Sequence, residues 1–173
     1  MKRVIILTAV VIITCIVFSG CNNSKPKYET RMWFDYFGTD EMLWNESKEL
    51  TLTEFPGVTF KWTPEKVTVG GKVLFWGMPV WNVYLADLTN DGKPEFCATV
   101  SFGSGIVDNR VIVFDYVAEK EYQLSDRMYH DYFLRLDNGK LMVTQTDYMD
   151  SKLLETTELL LVNGEILRYG KKQ

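Results

Sequence analysis

The stretch Asp87-Leu88-Thr89-Asn90-Asp91-Gly92-Lys93-Pro94-Glu95 places oxygen-bearing side chains at positions 1, 3, 5 and 9 of a loop whose sixth residue is glycine. A hard divalent cation takes about six to eight oxygens at roughly 2.3–2.6 Å, and alternate residues of a tight loop turn inward together while glycine permits the bend. Asp87 and Asp91 would bring charge, Thr89 its hydroxyl, Lys93 its backbone carbonyl and Glu95 the closing carboxylate. The chemistry expected of this set is calcium binding, with the ion in a structural role. Asn90, Asp91 and Gly92 equally suit a metal-free β-turn, because each favours turn conformations. The sequence therefore leaves both readings of the loop open.

Other candidate residues carry less. His130 is the only histidine, so no two-histidine zinc motif exists, and it reads as a surface or strand residue. Ser101-Phe102-Gly103-Ser104-Gly105 lacks a histidine partner in a strand-to-helix elbow and reads as a turn that reverses the chain before Arg110. Carboxylates are abundant, yet no spacing selects a pair for glycoside hydrolysis. Trp62, Trp76, Trp81, Tyr84, Tyr129 and Tyr132 read mainly as core, with a sugar-binding platform as the alternative use. Trp76, Met78 and Trp81, in and beside the dense run Phe75-Trp76-Gly77-Met78-Pro79, form the candidate binding surface. Cys97 lies between Phe96 and Ala98 and reads as a small buried residue, not a reactive thiol.

The N-terminus supplies an address. Lys2-Arg3, an apolar run from Val4 to Phe18, and Ser19-Gly20 before Cys21 have the parts of a bacterial lipoprotein signal, with Cys21 as the acylated residue; an uncleaved anchor helix or an ordinary secretory signal is the alternative. The apolar run is short for a membrane span, which needs about 20 apolar residues. The expected location is the outer face of the cell membrane, held by lipid such as palmitate. Cys15 falls in the signal and Cys21 is taken by lipid, so Cys97 has no disulfide partner. Removing residues 1–20 leaves 17 bases against 23 acids, a net charge of −6. An acidic exterior disfavours nucleic acid and anionic head groups as partners, which assigns membrane attachment to the acyl chains.

By length the remainder is one domain and a tether. The expected organisation is a signal peptide at 1–20, a flexible tether at 21–32, a short helical lead-in at 33–52 and a β domain at 53–170. Thr39-Asp40-Glu41-Met42 resembles a helix start with acids in its first turn. From Glu54 the apolar period becomes two. Strands are expected at Val58–Trp62, Lys66–Val69, Val73–Trp76, Trp81–Ala86, Glu95–Phe102, Arg110–Tyr116, Tyr132–Leu136, Leu141–Thr146, Glu158–Val162 and Glu165–Tyr169. Asn138-Gly139 and Asn163-Gly164 each separate two of these runs and favour tight hairpin turns. In the strand from Glu95, Phe96, Ala98, Val100 and Phe102 alternate with Cys97, Thr99 and Ser101, which predicts one core face. The fold class expected is all-β, a mainly antiparallel meander forming a small barrel, a sandwich or a bent sheet, with the short helix after the signal.

Two resemblances add to this. The acidic loop differs from the helix-flanked calcium hand, because position 12 is Ala98 and its flanks read as strands; it resembles the strand-flanked loops of FG-GAP type repeats, with Thr89 and Glu95 as departures. From about Glu54 onward the chain resembles an extracytoplasmic β-rich module found C-terminal to antirepressor-type membrane zinc metallopeptidases of the penicillin-sensing group, and in free-standing Gram-positive lipoproteins. The likeness rests on Glu54 to Phe60, Phe75 to Trp81, Asp87 to Gly92, Cys97 to Gly105 and Leu124 to Tyr129. It implies location and class, and an envelope protein or membrane peptidase as a partner. Proteolysis does not carry over, since the chain has no His-Glu-x-x-His stretch. The expected function is a non-enzymatic, lipid-anchored binding or sensory module; the alternatives are a carboxylate-dependent cell-wall hydrolase and a structural partner of an envelope complex.

Overall fold

The computed structural model describes residues 28–39, 42–103 and 105–168. Among them are thirteen strands in three antiparallel sheets and no helix. The central sheet has the order β1-β6-β7-β8-β9, formed by Arg31–Asp35, Val80–Ala86, Glu95–Phe102, Asp108–Asp115 and Lys120–Leu124. A second sheet runs β2 (Lys48–Thr51), β3 (Thr59–Thr63), β4 (Lys66–Val69) and β5 (Lys72–Trp76). The third comprises β10 (His130–Asp137), β11 (Lys140–Asp147), β12 (Leu153–Val162) and β13 (Glu165–Arg168).

Within the expected lead-in at 33–52, the described residues hold the end of β1, turns and β2; Asp40 and Glu41 of the proposed helix start lie outside the described residues. The first strand begins at Arg31, inside the stretch read as tether. Cys21 and the signal segment also lie outside the described residues. β9 had no sequence signal of its own: Lys120-Glu121-Tyr122-Gln123-Leu124 offers two apolar side chains among polar ones, which suits an edge strand.

The expectation of a single core face for β7 is corrected. Phe96, Ala98 and Val100 pack with Phe60, Trp62, Val67 and Phe75 of the second sheet, while Cys97 packs with Tyr132, Leu134 and Val143 of the third. The inner strands β6, β7 and β8 of the central sheet are covered on both faces, so the architecture is a three-layer sandwich. Alternation along a strand tells which side chains share a face, and it is silent on how many faces are covered. The outer sheets keep the simpler pattern: in β3, Phe60 and Trp62 are buried and Thr59 and Lys61 exposed.

Local chemistry fixes the registers. Asn138-Gly139 and Asn163-Gly164 adopt positive φ at both positions and pair Asp137 with Lys140 and Val162 with Glu165, the geometry of two-residue hairpins. At Gly77 a Cβ would lie 2.7 Å from Val100 Cβ, so only glycine lets the β5–β6 connection come this close to β7.

The third sheet is clasped to the central one by side chains. Thr99 N–H donates to Asn82 Oδ1 at 2.8 Å, Asn82 Nδ2 donates to the Leu134 carbonyl at 3.1 Å, and Leu134 N–H donates to Thr99 Oγ1 at 2.8 Å. Asn82 and Thr99 have no exposed surface, and the backbone of edge strand β10 supplies what they need. Truncating Asn82 strands a buried donor and a buried acceptor, each costing about 1–3 kcal/mol. Urea unfolding of Asn82→Ala is expected to show a loss of about 3 kcal/mol, against less than about 0.5 kcal/mol for exposed Lys61→Ala; equal losses would remove the clasp from this description.

Candidate metal centre

The acidic loop joins β6 to β7, two of the three inner strands of the central sheet, so its ends are fixed by the best-buried part of the fold. Asp87 follows the last residue of β6 and Glu95 is the first of β7. Single oxygens of Asp87, Asp91 and Glu95 all lie within 4.8 Å of one another, Asp91 exposed, Asp87 half-buried and Glu95 2% exposed. Three of the five expected ligand residues are thus brought together as carboxylates.

The loop is tied by its own hydrogen bonds. Asp91 N–H and Gly92 N–H donate to the two oxygens of Asp87, both at 3.0 Å, and Lys93 N–H donates to Asp91 Oδ1 at 2.7 Å. Thr89 Oγ1 donates to Glu95 Oε1 at 2.7 Å and Leu88 N–H to Glu95 Oε2 at 2.5 Å. Thr89, expected as a direct ligand through its hydroxyl, is engaged with the closing carboxylate. The Lys93 ammonium lies 5.7 Å from the centre of the Phe55 ring. Each carboxylate oxygen has two lone pairs, so the oxygens that hold these N–H groups retain capacity for a cation. The turn reading and the metal reading share one geometry: Asn90 at φ 59° and Gly92 at φ 89° make the bend in either case.

Electrostatics distinguishes Glu95 from its neighbours. Burial pushes its carboxyl up to about 7, the Thr89 hydroxyl and the Leu88 and Thr89 N–H groups pull it back, and the nearby Asp115 carboxylate adds to the rise. Asp115 itself is buried and accepts from Val117 N–H and Ala118 N–H at 2.8 Å, closing the β8–β9 turn. Nothing in the spacing of Asp115 marked it as a neighbour of Glu95; only the β7–β8 pairing brings Phe96 opposite Phe114 and hence the two acids together.

Beside the loop is an open groove of about 240 Å³ whose wall includes Tyr28, Asp87, Leu88, Asn90, Lys140, Leu141 and Glu158. The Lys140 ammonium and the Glu158 carboxylate meet at 2.7 Å across the β11–β12 pair. Sequence reasoning missed these residues because they come from segments at least 45 positions from the loop. The one available signal was the Asn138-Gly139 turn, which places Lys140 at the start of a strand.

The candidate binding surface divides. Trp76 and Met78 are 52% and 56% exposed, with the Trp76 ring edge-on to Phe102 at 4.6 Å. Trp81 is half-buried: Phe37 stacks on it at 5.1 Å, and its Nε1 donates to Ser101 Oγ at 2.7 Å. Cys97 is fully buried, and burial holds its thiol well above the usual range. His130 Nδ1 lies 2.7 Å from Asp126 Oδ2 in the turn before β10.

Comparison of the chain with protein-family models, with curated proteins and with solved structures finds no match.

Glu95 makes the pH response of the centre predictable. A carboxyl whose folded pKa stands near 7, above its ordinary 4.5, favours folding when protonated; that contribution is complete below about pH 4.5 and is lost as pH rises through about 7. In chelator, stability is expected to fall between about pH 5 and pH 8 by up to roughly 3 kcal/mol from this group. Glu95→Gln removes that part of the slope, read by urea unfolding at each pH; parallel profiles for the two proteins would contradict the assignment.

Proposed function

We propose that this chain is a lipid-anchored, extracytoplasmic binding or sensory module in which calcium, held by the β6–β7 loop, is a structural ion. The observation that carries the metal part is the convergence of Asp87, Asp91 and Glu95 within 4.8 Å at the ends of two central strands. Burying Glu95 as a lone carboxylate is costly, and a divalent cation offsets that cost while linking β6 to β7. The address rests on Phe18-Ser19-Gly20-Cys21. The resemblance to the module of membrane zinc metallopeptidases points the same way.

A second reading, the structural partner of an envelope complex such as a membrane peptidase, is favoured by exposed Trp76, Met78, Ile106 and Val107. Met78 N–H bonds to the Ser101 carbonyl at the end of the central sheet away from the acidic loop. The described chain enters at the opposite end, where Arg31 pairs with Leu85.

Calcium at about one hundred times its dissociation constant stabilises a folded protein by about 2.7 kcal/mol. Millimolar calcium is accordingly expected to raise the melting temperature of the wild-type protein by about 5–10 °C. Asp87→Asn and Asp91→Asn should abolish the rise, and a melting temperature indifferent to calcium and chelator would remove the ion from the proposal. Separately, cells fed labelled palmitate should incorporate it into the wild-type chain and not into Cys21→Ser; equal labelling of both would refute Cys21 as the lipidated residue.

A further inference from the structure

We propose that the groove beside the acidic loop binds a neutral, polyhydroxylated ring of monosaccharide size, an inference that rests on reading the chain as a binding module and names its ligand class. Size comes first. At about 240 Å³ the groove lies just below the roughly 300–1,000 Å³ of pockets that take drug-sized ligands, so it suits one ring.

Charge comes second. The wall carries the carboxylates of Asp87 and Glu158 and the ammonium of Lys140, with the Arg31 guanidinium 5.6 Å from the centre of the Tyr28 ring. Arg31 is not itself part of the wall, which with two carboxylates and one ammonium is net negative and disfavours an anion. Arg31 also occupies a position on Tyr28 that a cationic ligand would seek.

Hydrogen-bonding geometry comes third. Sugar hydroxyls donate and accept from neighbouring carbons, and they are matched by groups that present donors beside acceptors. Here the Lys140–Glu158 pair sets an ammonium and a carboxylate 2.7 Å apart, and the wall also includes Asp87 and the exposed Asn90. Leu88, Leu141 and Tyr28 supply the apolar surface on which the C–H face of a ring can rest. The polar groups sit on a hairpin and on a loop anchored in the central sheet, so the groove is held open without ligand.

The test uses the full chain in detergent, with N-acetylglucosamine as the neutral probe and glucuronate as its anionic counterpart, followed by saturation-transfer NMR. Saturable binding of N-acetylglucosamine is expected with a dissociation constant near 1 mM, weakened at least about tenfold by Glu158→Ala and by Lys140→Ala while both variants keep the wild-type melting temperature. Absence of saturable signal, equal signal from both variants, or tighter binding of glucuronate would overturn the proposal. Melting the same samples with calcium and with chelator keeps the two readings apart. Lost sugar binding with an intact calcium response sinks the groove alone, and sugar binding without a calcium response sinks the metal alone.

Discussion

Covering most of both faces of β6, β7 and β8 leaves these strands little surface on which a charged side chain can reach water, so their ionic chemistry lies at or near their ends. Asp87 and Glu95 stand at one end of the β6–β7 pair, and Asp108 and Asp115 stand at the two ends of β8. Where a polar side chain does fall inside the layers, it is satisfied by an adjacent backbone, as Asn82 and Thr99 are by Leu134. The acidic loop is thus placed by the sandwich. It lies where two strands that cannot shift must be joined by a short connection, and where a carboxylate can be half inside and half outside the protein.

That position accounts for the unequal character of the three acids. Asp91 is solvated, Asp87 is held by two loop N–H groups, and Glu95 is buried beside Asp115 with its carboxyl raised to about 7. The Leu88 and Thr89 donors mitigate the burial of Glu95 and orient it toward the loop interior. A cation at this point would neutralise the one carboxylate that the fold can least tolerate as a lone charge. The same loop forms one wall of the groove, so ordering the loop also orders the position of Asp87 and Asn90 there. On the proposed reading, stability and recognition share a single turn.

Much of this was legible in the residues. Period-two alternation located ten of the strands, and Asn138-Gly139 and Asn163-Gly164 fixed two hairpins, because turn chemistry and side-chain alternation are local properties of the chain. The acidic loop was legible for the same reason: its residues are adjacent in sequence. The end of β1 and all of β2 fall within the expected helical lead-in, where Met42, Leu43 and Leu50 suggest a stripe; β1 owes its strand form to pairing with β6 some 50 positions away, and Asp40 and Glu41 lie outside the described residues. The third layer, the Asn82–Thr99–Leu134 clasp, the Glu95–Asp115 proximity and the Lys140–Glu158 wall all depend on how sheets stack, and stacking leaves no mark on any one segment.

Diffraction from crystals grown with millimolar calcium, with anomalous data collected to locate the ion, tests the metal centre most directly. The expected result is one strong peak in the β6–β7 loop, with oxygens of Asp87, Asp91 and Glu95 at roughly 2.3–2.6 Å. A loop that under those conditions holds only water, with Asp87 bound solely to the Asp91 and Gly92 N–H groups, would contradict it.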